Sequence, residues 1–240
     1  MGRCSKTLQS RVISLIMRVN RAREFTSPMA KVLAVTDTCK TLAEVETRFD
    51  LHRSDDRSFF SEWRGTFPEL SVPERDRLHL MWQRLHYHRG DGDLLEGSVM
   101  LLVASPLLEL AGFYDPPFKL KAEATVEIAV DDGEEILRGR IDALILQQNL
   151  WVLVLEAKKT TISTRSALPQ ALAYMLADTQ LAQPTFGMMT NRDDVLFVKL
   201  GPKPNLQYDL SRGFSLYTLP EELQSALQIL KQIGATVHDT

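Results

Sequence analysis

The stretch Leu150-Trp-Val-Leu-Val-Leu-Glu-Ala-Lys-Lys-Thr160 decides how the chain is read. Six apolar residues, Leu150 to Leu155, run without a polar break into Glu156, and Lys158 follows two positions on. An unbroken apolar run of this length fits a strand covered on both faces, which belongs in the middle of a sheet. Charge at the end of such a strand is costly unless it is paired or holds an ion. Side chains alternate along a strand, so Glu156 and Lys158 share a face.

The upstream neighbour carries the same oddity. Ile136 to Leu146 reads as a strand, with Asp142 embedded in Ile141-Asp-Ala-Leu-Ile-Leu. The join lies around Gln147-Gln-Asn, so the two strands are expected to pair antiparallel. Register then decides whether the carboxylates meet. A three-residue loop at 148–150 sets Asp142 directly opposite Glu156. One at 147–149 sets Asp142 opposite Val154, with Glu156 diagonal on the same face. A two-residue loop at 148–149 sends the carboxylates to opposite faces. A joint site therefore requires an odd-length loop or a bulge.

Two carboxylates close together in a semi-buried place repel and resist ionisation unless a cation neutralises them. A hard divalent ion suits such oxygen ligands, with Mg²⁺ the expected cofactor and Mn²⁺ a substitute. The ion polarises a phosphate and lowers the pKa of a bound water, while Lys158 orients the nucleophile and offsets charge on the phosphoryl oxygens. Taken alone, Glu156-x-Lys158 has a plainer reading as an ion pair or a strand end emerging into solvent. Asp142, one hairpin upstream, weighs against it.

Ser166 to Thr179 reads as a helix in which Gln170 and Tyr174 share a face. Its start offers backbone N–H groups to phosphate, with Lys159 and Arg165 as nearby cations. For Gln170 and Tyr174 alone, a core tyrosine beside an incidental glutamine is the simpler reading.

The remaining pattern makes this an α/β chain. Thr38 to Gly90 is read as three helical segments, the first capped by Thr41, the second carrying Phe59, Phe60 and Trp63, and the third opened by Ser71-Val-Pro-Glu. Another helix runs from Asp93 to Ala104 and continues from Ser105-Pro106 to near Gly112. Lys121 to Val130 alternates as a strand, and Asp131-Asp-Gly is read as a hairpin turn. Thr185–Met189 and Val195–Leu200 form a later strand pair, and Pro220-Glu-Glu opens a C-terminal helix. Hairpins followed by a crossover helix into another strand imply a mixed sheet flanked by helices. Trp63, Trp82 and Trp151 are expected in the core. His79, His86 and His88 lack acidic or cysteine partners at ligand spacing and are set aside as metal ligands.

A length of 240 residues suits one domain, with residues 1–28 outside it. Those residues carry a net +5, leaving −8 on the remainder of a chain whose total is −3. The basic stretch is read as disordered chain or as sequence upstream of a functional start at Met29; a transit peptide and a basic arm touching nucleic acid are the other readings. Residues 29–240 then form a single domain: a helical part at 29–92, a catalytic core at 93–200, and a tail with a helix at 201–240. The acidic body offers no generic electrostatic footprint for DNA. Cys4 and Cys39 form no CxxC pair and suggest a reducing compartment, and no apolar run is long enough to cross a bilayer; a cytoplasmic location is expected.

Taken in order, Gly139-Arg-Ile-Asp142, Leu155-Glu-Ala-Lys158 and Gln170-x-x-x-Tyr174 resemble the PD-(D/E)xK nuclease superfamily. The match is narrower with the branch bearing a Gln-x-x-x-Tyr helix, which includes RecB-type nuclease domains and the nuclease domain of type I restriction R subunits. Phe186-Gly-Met-Met-Thr-Asn followed by Val195-Leu-Phe-Val-Lys is similar to the region after the catalytic helix of the latter. The resemblance covers residues 93 to about 200 and implies a restriction-endonuclease-like mixed β-sheet core flanked by helices, here with a helical N-terminal extension. It implies a Mg²⁺-dependent DNA endonuclease of restriction or repair type. Asp142, Glu156 and Lys158 would be catalytic, with Asp142 and Glu156 as metal ligands and Glu96 as a third, Glu109 second in line. Gln170, Tyr174 and Arg165 would contact the substrate. Ile141 departs from the proline of the family name. The chain has no GxxxxGK[ST] motor motif, so a second copy or a partner subunit is expected to supply specificity. The alternative is a catalytically inactive nuclease-fold module that binds nucleic acid or a protein.

Overall fold

The computed structural model describes residues 31–238 except 68, 91, 131–134, 148–149, 158–162, 179–180 and 192, and gives the backbone alone at 150–157 and 237–238. Strand β1 (Lys31–Ala34) leads into α1 (Val35–Thr38) and α2 (Leu42–Phe49), followed by β2 (His52–Arg53) and α3 (Val72–Arg89). Next come α4 (Glu96–Val99), a π-helical turn at Met100–Ala104, and α5 (Ser105–Leu110). The long strands β3 (Phe118–Val130) and β4 (Glu135–Gln147) precede β5 (Leu150–Ala157). A short 3-10 turn (Thr164–Ala167) opens α6 (Leu168–Leu176). The chain then adds β6 (Thr185–Thr190), β7 (Asp194–Leu200), β8 (Gln207–Leu210), β9 (Phe214–Ser215) and α7 (Glu221–His238).

The strands form one mixed sheet in the order β1-β4-β5-β6-β7-β8-β2, with β3 also paired to β4 and β9 to β7. An apolar β5 is at home there, antiparallel to β4 on one side and parallel to β6 on the other. Helices cover both faces. Leu78, Val99, Val103, Leu107, Leu227 and Leu230, from α3, α4, the π-turn, α5 and α7, share one core with Ala143, Ile145, Phe186 and Met188. Val35, Val45, Leu172 and Met175, from α1, α2 and α6, share the other with Leu144, Leu146 and Met189.

Local chemistry explains the helix starts. Thr41 with Glu44, and Ser71 with Glu74, each close a capping box that satisfies free N–H groups of α2 and α3. Several expectations need correction. The helix expected around Phe59, Phe60 and Trp63 is a loop with a 3-10 turn at Ser61–Trp63. There Asp56 accepts hydrogen bonds from the Ser58 backbone N–H and hydroxyl, a local alternative to helix. Residues 29–92 are not purely helical, because β1 pairs parallel with β4 and β2 with β8. The stretch 201–240 likewise contributes β8 and β9 to the sheet. The helix expected from Asp93 begins at Glu96, and Trp63 and Trp82 are half-buried rather than core. The expected turn at Asp131-Asp-Gly, residues 1–28 and the side chain of Trp151 lie outside the described residues. Among the described residues no helix is long and apolar enough to cross a membrane.

Candidate functional site

The hairpin between β4 and β5 resolves the register question by an unexpected route. Gln147 pairs with Leu150 and Leu146 with Trp151, the even-loop arrangement that would separate the carboxylates. The register then shifts, and Ile145 pairs with Leu153, leaving Val152 as an extra residue on β5. Such a bulge bends and twists one strand while offsetting its pairing by one. Beyond it Leu144 pairs with Val154 and Ala143 with Leu155. Carried one residue past that last pair, the register would set Asp142 opposite Glu156. Opposed residues of an antiparallel pair belong to one face of the sheet.

Asp142 also marks an irregularity on its other side. The β3–β4 ladder pairs Ala122 with Ala143 and Ala124 with Ile141, and skips the Glu123–Asp142 step between them. Glu123 has φ +51°, left-handed backbone that a non-glycine residue adopts at a cost. Core allegiance changes here. Ala143 and Ile145 join the core under α7, while Ile141 and Leu137, of the same parity, join the core under α6. The hairpin therefore rolls sharply at Asp142. It does so between the residues paired with β1, which end at Arg138, and those paired with β5, which begin at Ala143.

Helix α6 packs against this stretch through Tyr174. Gln170 Nε2 donates to the Tyr174 hydroxyl at 2.8 Å. The tyrosine is 1% exposed, whereas Gln170 and Asp142 are half-buried. The helix is seated at two glycines. A Cβ on Gly139 would lie 2.3 Å from Tyr174 Cε1, and one on Gly187 would lie 3.1 Å from Met175 Sδ and 2.6 Å from Val198 Cγ1. Gly187 itself pairs with Val154, and Met189 with Glu156, so β6 braces the end of β5.

The other expected site residues are spread around this centre. Arg165 is exposed in the 3-10 turn before α6. Glu96 is the exposed first residue of α4, whose Val99 is buried in the core on the opposite side of the sheet from α6. Glu109 faces Arg77 at 3.5 Å on the surface. Lys158 and Lys159 lie outside the described residues, as does the side chain of Glu156. Among the described side chains no group of three His, Cys, Asp or Glu is placed to hold a metal ion. Sequence reasoning assigned no role to Gly139 or Gly187. The only signal was their presence in Gly139-Arg-Ile-Asp142 and Phe186-Gly-Met-Met.

Comparison with protein-family models and with curated proteins gives no match to this chain.

Proposed function

We propose that the chain is a Mg²⁺-dependent DNA endonuclease of the PD-(D/E)xK type, with a restriction-endonuclease-like sheet, working in the cytoplasm. The observation that carries this reading is the bulge at Val152. Without it, a two-residue loop sets Asp142 and Glu156 on opposite faces; with it, the register carried one step past Ala143–Leu155 would set them on one face. Facing residues have Cβ atoms about 4.5–5.5 Å apart, close enough for one ion to take an oxygen from each carboxylate. Hard carboxylate oxygens fit Mg²⁺, and Mn²⁺ would serve as well. When bound, the ion supplies Lewis acidity toward a phosphodiester and acidifies water.

The chain's own groups then divide the work. Asp142 and Glu156 would hold the ion; Glu96, in the helix layer across the sheet from α6, falls outside that pair. Lys158, two positions after Glu156 in the sequence, would orient the attacking water and offset negative charge on the phosphoryl oxygens. Arg165 and Gln170, at the entry and first turn of α6, hold the DNA backbone. A free buried Cys39 suits a reducing compartment. The acidic body makes local contacts, not a broad basic surface, the source of DNA affinity. Sequence preference then comes from a partner subunit or a second copy.

The test is cleavage of plasmid and linear duplex DNA by the purified chain with Mg²⁺, Mn²⁺ or EDTA, beside Asp142→Ala and Lys158→Ala. Metal-dependent cutting that both variants lose supports the reading. A wild-type chain that binds DNA but never cuts it makes this an inactive nuclease-fold module instead.

A further inference from the structure

Gly139 lies in β4 between the residues paired with β1, which end at Arg138, and those paired with β5, which begin at Ala143. A strand interior gains nothing from a glycine unless another group comes close to its backbone. Here the group is the Tyr174 ring. A Cβ at Gly139 would stand 2.3 Å from Cε1 and 2.9 Å from the hydroxyl oxygen, both below real contact distance, and 3.0 Å from Cζ. The ring is buried, so it has no room to retreat. Its hydroxyl takes the hydrogen bond from Gln170, one helical turn earlier on α6. Tyr174 thus reaches β4 from one side and holds Gln170 from the other.

We propose that Gly139 and Tyr174 are positioning residues: the tyrosine ring, seated on the bare Gly139 backbone, fixes the Gln170 carboxamide beside the stretch of β4 that runs from Gly139 to Asp142. A glutamine has three rotatable torsions, and a carboxamide fixed before the substrate arrives loses less freedom on binding. This replaces direct substrate contact as the role of Tyr174, and it gives the first glycine of Gly139-Arg-Ile-Asp142 a reason. Its consequence for catalysis rests on the nuclease reading; the contact itself does not.

The test uses the full chain and three variants: Gly139→Ala, Tyr174→Phe and the double variant Gly139→Ala/Tyr174→Leu. Three quantities are measured: melting temperature, solvent exchange of the Gln170 side-chain amide by NMR, and single-turnover cleavage of duplex DNA with Mg²⁺. In Gly139→Ala, melting falls and the protected Gln170 amide is lost. In the double variant, removal of the ring restores melting but not amide protection, and cleavage stays about ten- to a hundred-fold down with half-saturating DNA raised. Tyr174→Phe keeps the ring and melts near wild type, yet loses the protected amide. Normal melting and a protected amide in Gly139→Ala overturn the proposal. So does a double variant that regains cleavage together with melting, because the contact is then packing alone. If the wild-type chain cuts no DNA, melting and amide exchange still decide the contact, and only the nuclease reading falls.

Discussion

Glu62 and Lys199 provide a quantitative prediction about what holds the sheet against the segment that precedes α3. Lys199, on β7, donates to Glu62 Oε1 at 2.6 Å, and the two side chains are 12% and 6% exposed. The ammonium also lies 5.6 Å from the centroids of Phe59 and Phe186. At the 2.6 Å between ammonium and carboxylate and an effective dielectric of about 20, the Coulomb attraction is about 6 kcal/mol. Desolvation of two buried ions offsets it by several kcal/mol each, and Glu62 Oε2 has no hydrogen-bond partner among the described residues. The pair is therefore worth little as a pair and much to each member alone. Glu62→Ala strands the ammonium and Lys199→Met strands the carboxylate, each costing about 3–5 kcal/mol in urea unfolding. The double variant Glu62→Leu/Lys199→Met should lie within about 1 kcal/mol of wild type, or above it. Single losses under about 1 kcal/mol, or losses that simply add in the double, would refute the argument that the pair is desolvated and mutually dependent.

Two other expectations follow from particular contacts. The Lys231 ammonium, aided by the Ser71 hydroxyl and backbone N–H, holds the Glu74 carboxyl at about 2, below its ordinary 4.5. A pKa lowered by folding contributes stability above the unfolded value and loses it as pH falls through the folded one. Glu74→Gln should thus cost about 1 kcal/mol at neutral pH, given partial exposure, with the gap to wild type closing between pH 4.5 and 2 in denaturant melts; a gap that widens on acidification contradicts this. Gly187→Val drives its first carbon into Val198 and Met175, so thermal unfolding should show a loss of about 1–3 kcal/mol, and a melt unchanged from wild type would mean α6 is not seated there.

Much of the architecture is written locally. The period-two alternation before residue 131 marks β3, and Ser71 with Glu74 marks the start of α3, because both signals depend only on near neighbours. The charges at Asp142, Glu156 and Lys158 are visible as departures from apolar sequence. What stays hidden depends on partners far along the chain. The bulge at Val152 leaves no trace in Leu150-Trp-Val-Leu-Val-Leu, since a strand covered on both faces has no alternation to interrupt. β1 is mostly exposed and β8 is only four residues long; each becomes a strand through its pairing with β4 or β7. Phe59, Phe60 and Trp63 have helical spacing, but Phe60 is drawn into the core and Phe59 lies against Gly201, which a continuous helix would not offer. Gly139 reads as any glycine until α6 lays Tyr174 upon it.

The central claim is that Asp142 and Glu156 act as one metal-holding unit across the bulged hairpin. Single-turnover cleavage of a labelled duplex with Mg²⁺, by wild type, Asp142→Asn, Glu156→Gln and the double variant, tests it most directly. Residues that work as a unit are non-additive: each single change should drop cleavage to the level of the double, a loss of roughly a hundred-fold or more. Wild-type cleavage by either single variant, or two partial losses that multiply in the double, contradicts the claim.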